Sequence, residues 1–206
     1  KLIHPEDLPS SHVKLHILKT TIETLTTSGY RYIGMDHFAK PDDELSLAQA
    51  NKTLHRNFQG YSTRAGADLF GFGMSAISHF GEVYAQNAKT LPEYFERLEN
   101  GRFATHVGYR MNRDDEIRKN VIMQTMCNLE VVKEEVEEHF GILFDEYFQD
   151  ALEQLEEFRQ LGLVKHTVEK ISLVGAGRLV LRNIAMCFDA YLHKLQTAQP
   201  IFSRTV

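Results

Sequence analysis

The sequence predicts an α/β segment followed by a mostly α-helical, winged-helix-like C-terminal domain. Three observations carry this reading. Near the N-terminus a helical stretch feeds a strand-like run across Gly29, the order of an α/β unit. Glycines then cluster at Gly60, Gly66, Gly71 and Gly73, which marks tight turns or close approach of backbone to a ligand. From Leu91 onward apolar residues recur at helical spacing, broken by one hairpin-like pair of short strands.

Ser10 and Ser11 suit the start of a helix to residue 28, with Leu15, Leu18, Ile22 and Leu25 on one face at the three- and four-residue spacing of an amphipathic helix. Residues 30–36 read as a short buried strand because aromatic and aliphatic residues dominate it. Pro41 and the acids Asp42, Asp43 and Glu44 open a helix to about Lys52, since proline tolerates the first turn and acids complement the positive helix end. Strand-like runs follow at 57–61 and 69–74. Asp114 is expected to cap a helix to residue 128, a shorter acidic helix covers 131–140, and a third spans 143–160 with Phe144, Phe148, Ala151, Leu155 and Phe158 as its core stripe. Residues 163–164 and 170–173 form the expected hairpin, and a last helix covers 176–195 with Val180, Ile184, Phe188 and Tyr191 on one face. The boundary is expected near residues 85–90, giving a first domain at 1–88 and a second at 89–206.

Composition excludes several classes. The chain has 206 residues, 43% hydrophobic and 25% charged, with a formal net charge of -5, ordinary for a globular protein able to bury a sizeable core. Residues 114–160 hold 14 acids and 4 Lys or Arg, which would repel a phosphate backbone and argues against nucleic acid as a partner. The longest apolar runs are short, so no membrane span is expected, nor a signal peptide. The chain opens at Lys1 rather than Met, which suggests a processed or truncated chain, and a cytoplasmic location is expected. Cys127 and Cys187 are 60 positions apart and read as free buried thiols. Without paired Cys or His spacing they cannot hold a zinc ion or an iron–sulfur cluster, and no metal site is expected.

Two segments offer chemistry. Asp36-His37 sits at a strand end, where an Asp–His pair binds, orients or transfers a proton, or is simply a hydrogen-bonded structural pair. His55-Arg56-Asn57-Phe58-Gln59-Gly60-Tyr61 mixes cations, amides and aromatics. It would stack a ring on Phe58 and hydrogen-bond it through Gln59, or it is an edge strand with one buried aromatic. Gly71-Phe72-Gly73-Met74-Ser75-Ala76-Ile77 is a glycine-rich turn that matches neither a Walker loop nor a dinucleotide fingerprint. The single histidines His139, His166 and His193 read as surface or capping residues, with His79 and His106 undecided.

These motifs carry a resemblance. Met35-Asp36-His37-Phe38-Ala39, His55 to Thr63, Gly73-Met74-Ser75-Ala76-Ile77-Ser78, Gly177-Arg178-Leu179 and Arg182 to Asp189 occur in order across nearly the whole chain, through Phe202-Ser203-Arg204. Together they resemble the C-terminal portion of the oxygen-independent coproporphyrinogen III oxidases, radical S-adenosylmethionine enzymes of haem biosynthesis. The resemblance implies the end of a partial TIM-like barrel and its cofactor loop, followed by the helical domain. It implies S-adenosylmethionine and a [4Fe–4S] cluster as cofactors, with Phe58, Gln59 and Ile77 contacting the former. The family's CxxxCxxC loop lies in an N-terminal part that this sequence does not contain, so the chain alone is expected to be inactive and unable to bind the cluster. In the family a 5′-deoxyadenosyl radical removes a hydrogen from a propionate β-carbon, and loss of carbon dioxide and an electron leaves a vinyl group. Two rounds convert coproporphyrinogen III to protoporphyrinogen IX, with an electron donor serving the cluster.

Arg56 and Arg182 are the candidates for substrate carboxylates, since arginine pairs with them bidentately, and Asp36, His37 and Tyr61 for a further site wall. The alternative is a non-enzymatic haem-carrying relative of the same family. A stand-alone winged-helix module is disfavoured by the acid excess. An α/β core open at its sheet edge is also expected to self-associate.

Overall fold

The computed structural model describes residues 4–192; His193, the end of the expected last helix and the Phe202-Ser203-Arg204 motif lie outside them. The chain opens with helix α1 (Ser11–Thr27), capped by the Ser10 side chain on the Val13 amide. Two tight hairpins follow. The first joins strands β1 (Arg31–Gly34) and β2 (His37–Ala39), and after helix α2 (Glu44–Ala50) the second joins β3 (His55–Asn57) and β4 (Gly60–Ser62). Next comes a three-stranded meander of β5 (Ile77–Phe80), β6 (Val83–Asn87) and β7 (Thr105–Arg110), with helix α3 (Leu91–Glu99) set between its last two strands.

The remainder is helix α4 (Arg113–Asn128), strand β8 (Glu130–Val132), helices α5 (Lys133–Phe140), α6 (Phe144–Tyr147) and α7 (Gln149–Gln160), then strands β9 (Val164–His166) and β10 (Lys170–Leu173). A 3₁₀ turn (Gly175–Val180) leads into helix α8 (Leu181–Met186). Strand β10 lies between β8 and β9 in a small sheet.

Several expectations are corrected by this arrangement. Residues 30–36 do not form one strand of a parallel unit. The chain turns at Met35-Asp36, and β1 pairs antiparallel with β2, as does every named strand pair among the described residues. The run 57–61 likewise breaks: Phe58 and Gln59 form the turn between β3 and β4, held by the Gln59 amide donating to Asn57 Oδ1 at 2.8 Å. Of residues 69–74 only Leu69 bridges to a neighbour, His79. The boundary expected at residues 85–90 falls inside the meander, because β6 and β7 pair from either side of it.

Helix α4 is capped by Asn112, not Asp114, in a reciprocal capping box with Asp115. The expected third helix is two, with Phe148 at the joint between α6 and α7. Its stripe still faces inward, since Phe144, Phe148, Ala151 and Leu155 are buried and Phe158 packs beside them. The last helix is short, and Arg178 in the 3₁₀ turn before it reaches across to donate to the Tyr32 carbonyl at 2.6 Å.

Two apolar clusters form the interior. One joins α4 to α5, α6, α7, the small sheet and α8 through Val121, Val136, Phe148, Ile171, Ile184 and Phe188. The other joins the hairpins and α2 to the far side of α4 and α8 through Ile33, Tyr61, Met126, Leu181 and Ala185. Ile122 and Leu173 pack against both, so the two clusters share one wall.

The two hairpins pack with little room to spare. A side chain at Gly60, whose φ is +136°, would place its Cβ 2.6 Å from His37 Nε2, and one at Gly34 would meet Tyr61 Oη at 2.5 Å. Because the neighbours are rings wedged in the interface, Gly60→Ala should cost about 1–3 kcal/mol through overpacking alone. Equilibrium unfolding in urea measures this, and an unchanged midpoint would show that the hairpins are not in close register.

Candidate functional site

Helix α4 presents one face to the core and the next to an open cleft of about 530 Å³. The cleft floor is apolar, made by Met111, Ile122, Met123, Met126, Ala185 and Met186. Its rim carries basic groups from three elements: His55 and Arg56 on β3, Arg118 and Lys119 on α4, and Arg182 on α8. Aromatic side chains Phe58, Tyr84, Tyr109 and Tyr191 complete the walls. An apolar floor with a few convergent polar groups is the general form of a small-molecule site.

The cations differ in what they already hold. Arg118 Nε donates to both carboxylate oxygens of Asp114, at 3.0 and 2.9 Å, and its Nη1 donates to the Phe188 carbonyl at 3.1 Å; it is committed to the scaffold. The Arg56 guanidinium carbon lies 4.7 Å from the Tyr61 ring centroid. Its Nη1 is buried with no hydrogen-bond partner among the described residues. A buried, unpaired donor is costly, and the attraction of the guanidinium to the Tyr61 ring face partly offsets that cost. Lys119 Nζ donates to His79 Nε2 at 3.0 Å, and the His79 ring stacks on Tyr84 with centroids 4.4 Å apart.

At the mouth of the cleft, Asp115 accepts from Tyr109 Oη at 2.6 Å and from Tyr191 Oη at 2.7 Å, while its Oδ2 also takes the Asn112 amide at 2.8 Å. Burial alone would raise the Asp115 pKa. The donors Tyr109, Asn112 and Tyr191, with nearby Arg118, outweigh it and hold the carboxyl below the usual carboxylate range. The hydrogen bond to Asp115 is also the main reason the Tyr109 phenol titrates far above its ordinary value.

Of the residues expected from sequence, Arg56, Phe58 and Arg182 come together on the cleft wall. Gln59 and Ile77 are not among its lining residues. Gln59 sits at the exposed tip of the second hairpin and Ile77 on β5 opposite Gln86. Tyr61 lies behind Arg56 rather than in the open cleft, and its hydroxyl donates to the Met126 carbonyl at 3.0 Å. Burial pushes that phenol up to about 12. Asp36 is exposed. Its Oδ1 lies 2.7 Å from His37 Nδ1, but out of line with the ring N–H, so that nitrogen has no aligned partner among the described residues. The His37 ring meets the Tyr61 ring edge-on at 5.0 Å, and neither Asp36 nor His37 is among the cleft's lining residues. His55 belongs to a segment singled out in the sequence and His79 was left undecided there, whereas Lys119 and the Tyr109–Asp115–Tyr191 group escaped the sequence reading, because no local motif links residues drawn from separate elements.

The two cysteines do not suit a cluster. Cys127 and Cys187 are both buried, and burial pushes their thiols up to about 12 and about 11, whereas cluster ligation requires thiolates. No group of three or more His, Cys, Asp or Glu among the described residues is placed to hold a metal ion. Phe58, an exposed aromatic at the cleft edge, does suit the flat face of a nucleoside base.

A family model described as HemN C-terminal domain matches residues 111–180. The oxygen-independent coproporphyrinogen III oxidase of Pseudomonas aeruginosa is 46% identical over 204 residues, spanning 99% of this chain and 44% of that protein. The enzyme of the same name from Thermostichus vulcanus is 43% identical over 207 residues and is spanned to 63% of its length. A solved structure titled coproporphyrinogen III oxidase (HemN) from Escherichia coli, a radical SAM enzyme, superposes with a TM-score of 0.87 at 46% identity, covering 92% of this chain and 44% of that one. The chain therefore has the mixed helix and sheet fold of the C-terminal portion of a radical SAM enzyme. It belongs to the oxygen-independent coproporphyrinogen III oxidase family, as the motif resemblance indicated, and spans about 44% of the first relatives it matches. No helix among the described residues is long and apolar enough to cross a membrane.

The Asp115 carboxyl gives a pH test. Its folded pKa is depressed, so its contribution to stability is complete above its unfolded value, about 3.9, and is lost as pH falls through the still lower folded value. Asp115→Asn should therefore lower stability at pH 7, and the gap to the wild type should close as pH falls below the unfolded value and through the lower folded one. Thermal unfolding across that range reads the gap; one that stays constant would assign the loss to packing rather than charge.

Proposed function

We propose that this chain supplies the substrate-binding wall of a coproporphyrinogen III oxidase, which decarboxylates two propionates of coproporphyrinogen III to the vinyl groups of protoporphyrinogen IX. The observation that carries the reading is an apolar cleft floor with the Arg56 and Arg182 side chains among its lining. A tetrapyrrole is apolar across its rings and anionic at its propionates, and the cleft offers an apolar floor with cations at its rim. Arg56 and Arg182 would each take a propionate, and arginine's planar fork suits that pairing. The methionine side chains of the floor adapt to a bulky ring system.

S-Adenosylmethionine and a [4Fe–4S] cluster would supply the hydrogen-abstracting radical in the longer enzyme, served there by an electron donor. This chain's cysteines do not suit the cluster, so we expect it to be inactive alone. Phe58, with Gln59 and Ile77 beyond the cleft, is our reading of its share of the S-adenosylmethionine site. What this chain would do is hold the propionates, orient the ring and keep water from it. Strand β1 would end a partial barrel, its outer edge pairing with a strand outside this sequence. The order helix, strand, three helices and hairpin, with β10 central in its sheet, supports the winged-helix-like reading of the C-terminal part. We place the division between the two parts at the β7–α4 junction, where the matched family domain begins. The acidic face disfavours nucleic acid, and a cytoplasmic location fits the reaction. The haem-carrying alternative is not favoured, because the close relatives bear the oxidase name.

In a full-length enzyme carrying this sequence, Arg56→Ala should raise KM for coproporphyrinogen III about tenfold, the value of one charge-assisted pair. A KM within twofold of the wild type would contradict the assignment. Phe72 and Phe103 are each 90% exposed, and such apolar exposure favours self-association of this chain; a monodisperse monomer in light scattering would contradict that.

A further inference from the structure

We infer that Lys119, His79 and His55 form a second carboxylate-binding corner of the cleft, which takes a propionate that Arg56 does not hold. This rests on the porphyrinogen reading above and extends it to Lys119 and His79, which no motif marks, beside His55, which opens one. All three side chains line the cleft, from α4, β5 and β3. Lysine's ammonium only donates, so the 3.0 Å contact makes His79 Nε2 the acceptor and fixes that ring as neutral with its proton on Nδ1. Lys119 Nζ also sits 5.3 Å from the Tyr84 ring centroid. A cation held by a neutral imidazole and a ring face has no counter-ion in that arrangement, and a propionate oxygen would replace a weak acceptor with a strong one.

The charges around the corner agree with this. His79 is held below the ordinary histidine value by burial, then by Lys119 and His55; Asp68 and a hydrogen bond involving the Gly81 backbone oppose the shift. His55 is held down by burial and by Lys119. A carboxylate placed among the three would cancel the repulsion between them and draw a proton onto an imidazole. Binding should then take up protons and tighten as pH falls.

The test uses coproporphyrin III, the stable fluorescent oxidised form of the substrate, titrated into the 206-residue chain. Lys119→Met should weaken binding about tenfold, the worth of one charge-assisted hydrogen bond, and Lys119→Arg should restore most of it. Combined with Arg56→Ala, the losses should multiply, because residues holding separate carboxylates act independently. Wild-type affinity should rise as pH falls through and below the ordinary histidine value of about 6.5, because both imidazoles start below it, and His79→Gln should flatten that rise. Unchanged affinity in Lys119→Met, failure of arginine to restore it, or losses that do not multiply would overturn the second corner while leaving Arg56 in place. Failure of the wild-type chain to bind coproporphyrin III at all would instead overturn the porphyrinogen reading, and this corner with it.

Discussion

The hydrogen bond from the Tyr61 hydroxyl to the Met126 carbonyl joins the two halves of this molecule. Tyr61 stands on the second hairpin and Met126 on the last turn of α4. The hydroxyl is buried, so its bond is made away from water, where an unpaired partner would cost about 1–3 kcal/mol. Around it the register is tight: Gly34 lets the Tyr61 ring approach β1, and Gly60 admits the His37 ring. Arg178 closes the same joint from the other side by donating to the Tyr32 carbonyl. The hairpins therefore sit on α4 in one position, and that position brings Arg56 and Phe58 to the cleft edge.

Helix α4 then acts as a beam with two uses. Ile117 and Val121 bury against Phe148 and Ile184, which fixes the helix in the C-terminal core. The adjoining face, Ile122, Met123 and Met126, floors the cleft. A ligand site on a rigid helix is held more precisely than one on loops. The same burial lowers the local dielectric, so a carboxylate paired there with Arg56 gains more than it would in water. The cation is held ready on the Tyr61 ring, where its attraction to the aromatic face partly offsets its burial.

Much of the helical half was legible in the sequence. The stripe from Phe144 to Leu155 has helical period, and burial follows it even though the helix breaks at Phe148. The meander was not legible, because its strands carry no alternation: β7 is exposed at every position and β6 half-buried at every position, so the period-two signal of a half-buried strand is missing. The first helix shows a limit of another kind. Its apolar face is present in sequence, yet α1 buries no residue, since periodicity reports a face and not what covers it. Within the site, Arg56 and Phe58 were readable because they share one hairpin motif. Lys119 and His79 were not, being 40 positions apart and brought together by a contact between their side chains.

If β3 and α4 together form one wall of a tetrapyrrole site, coproporphyrin III should slow amide hydrogen exchange in both segments together, at residues 55–58 and 119–126, with the amides of α5 and α7 unchanged. Protection confined to the acidic helices, or none in β3 and α4 at saturating ligand, would contradict it.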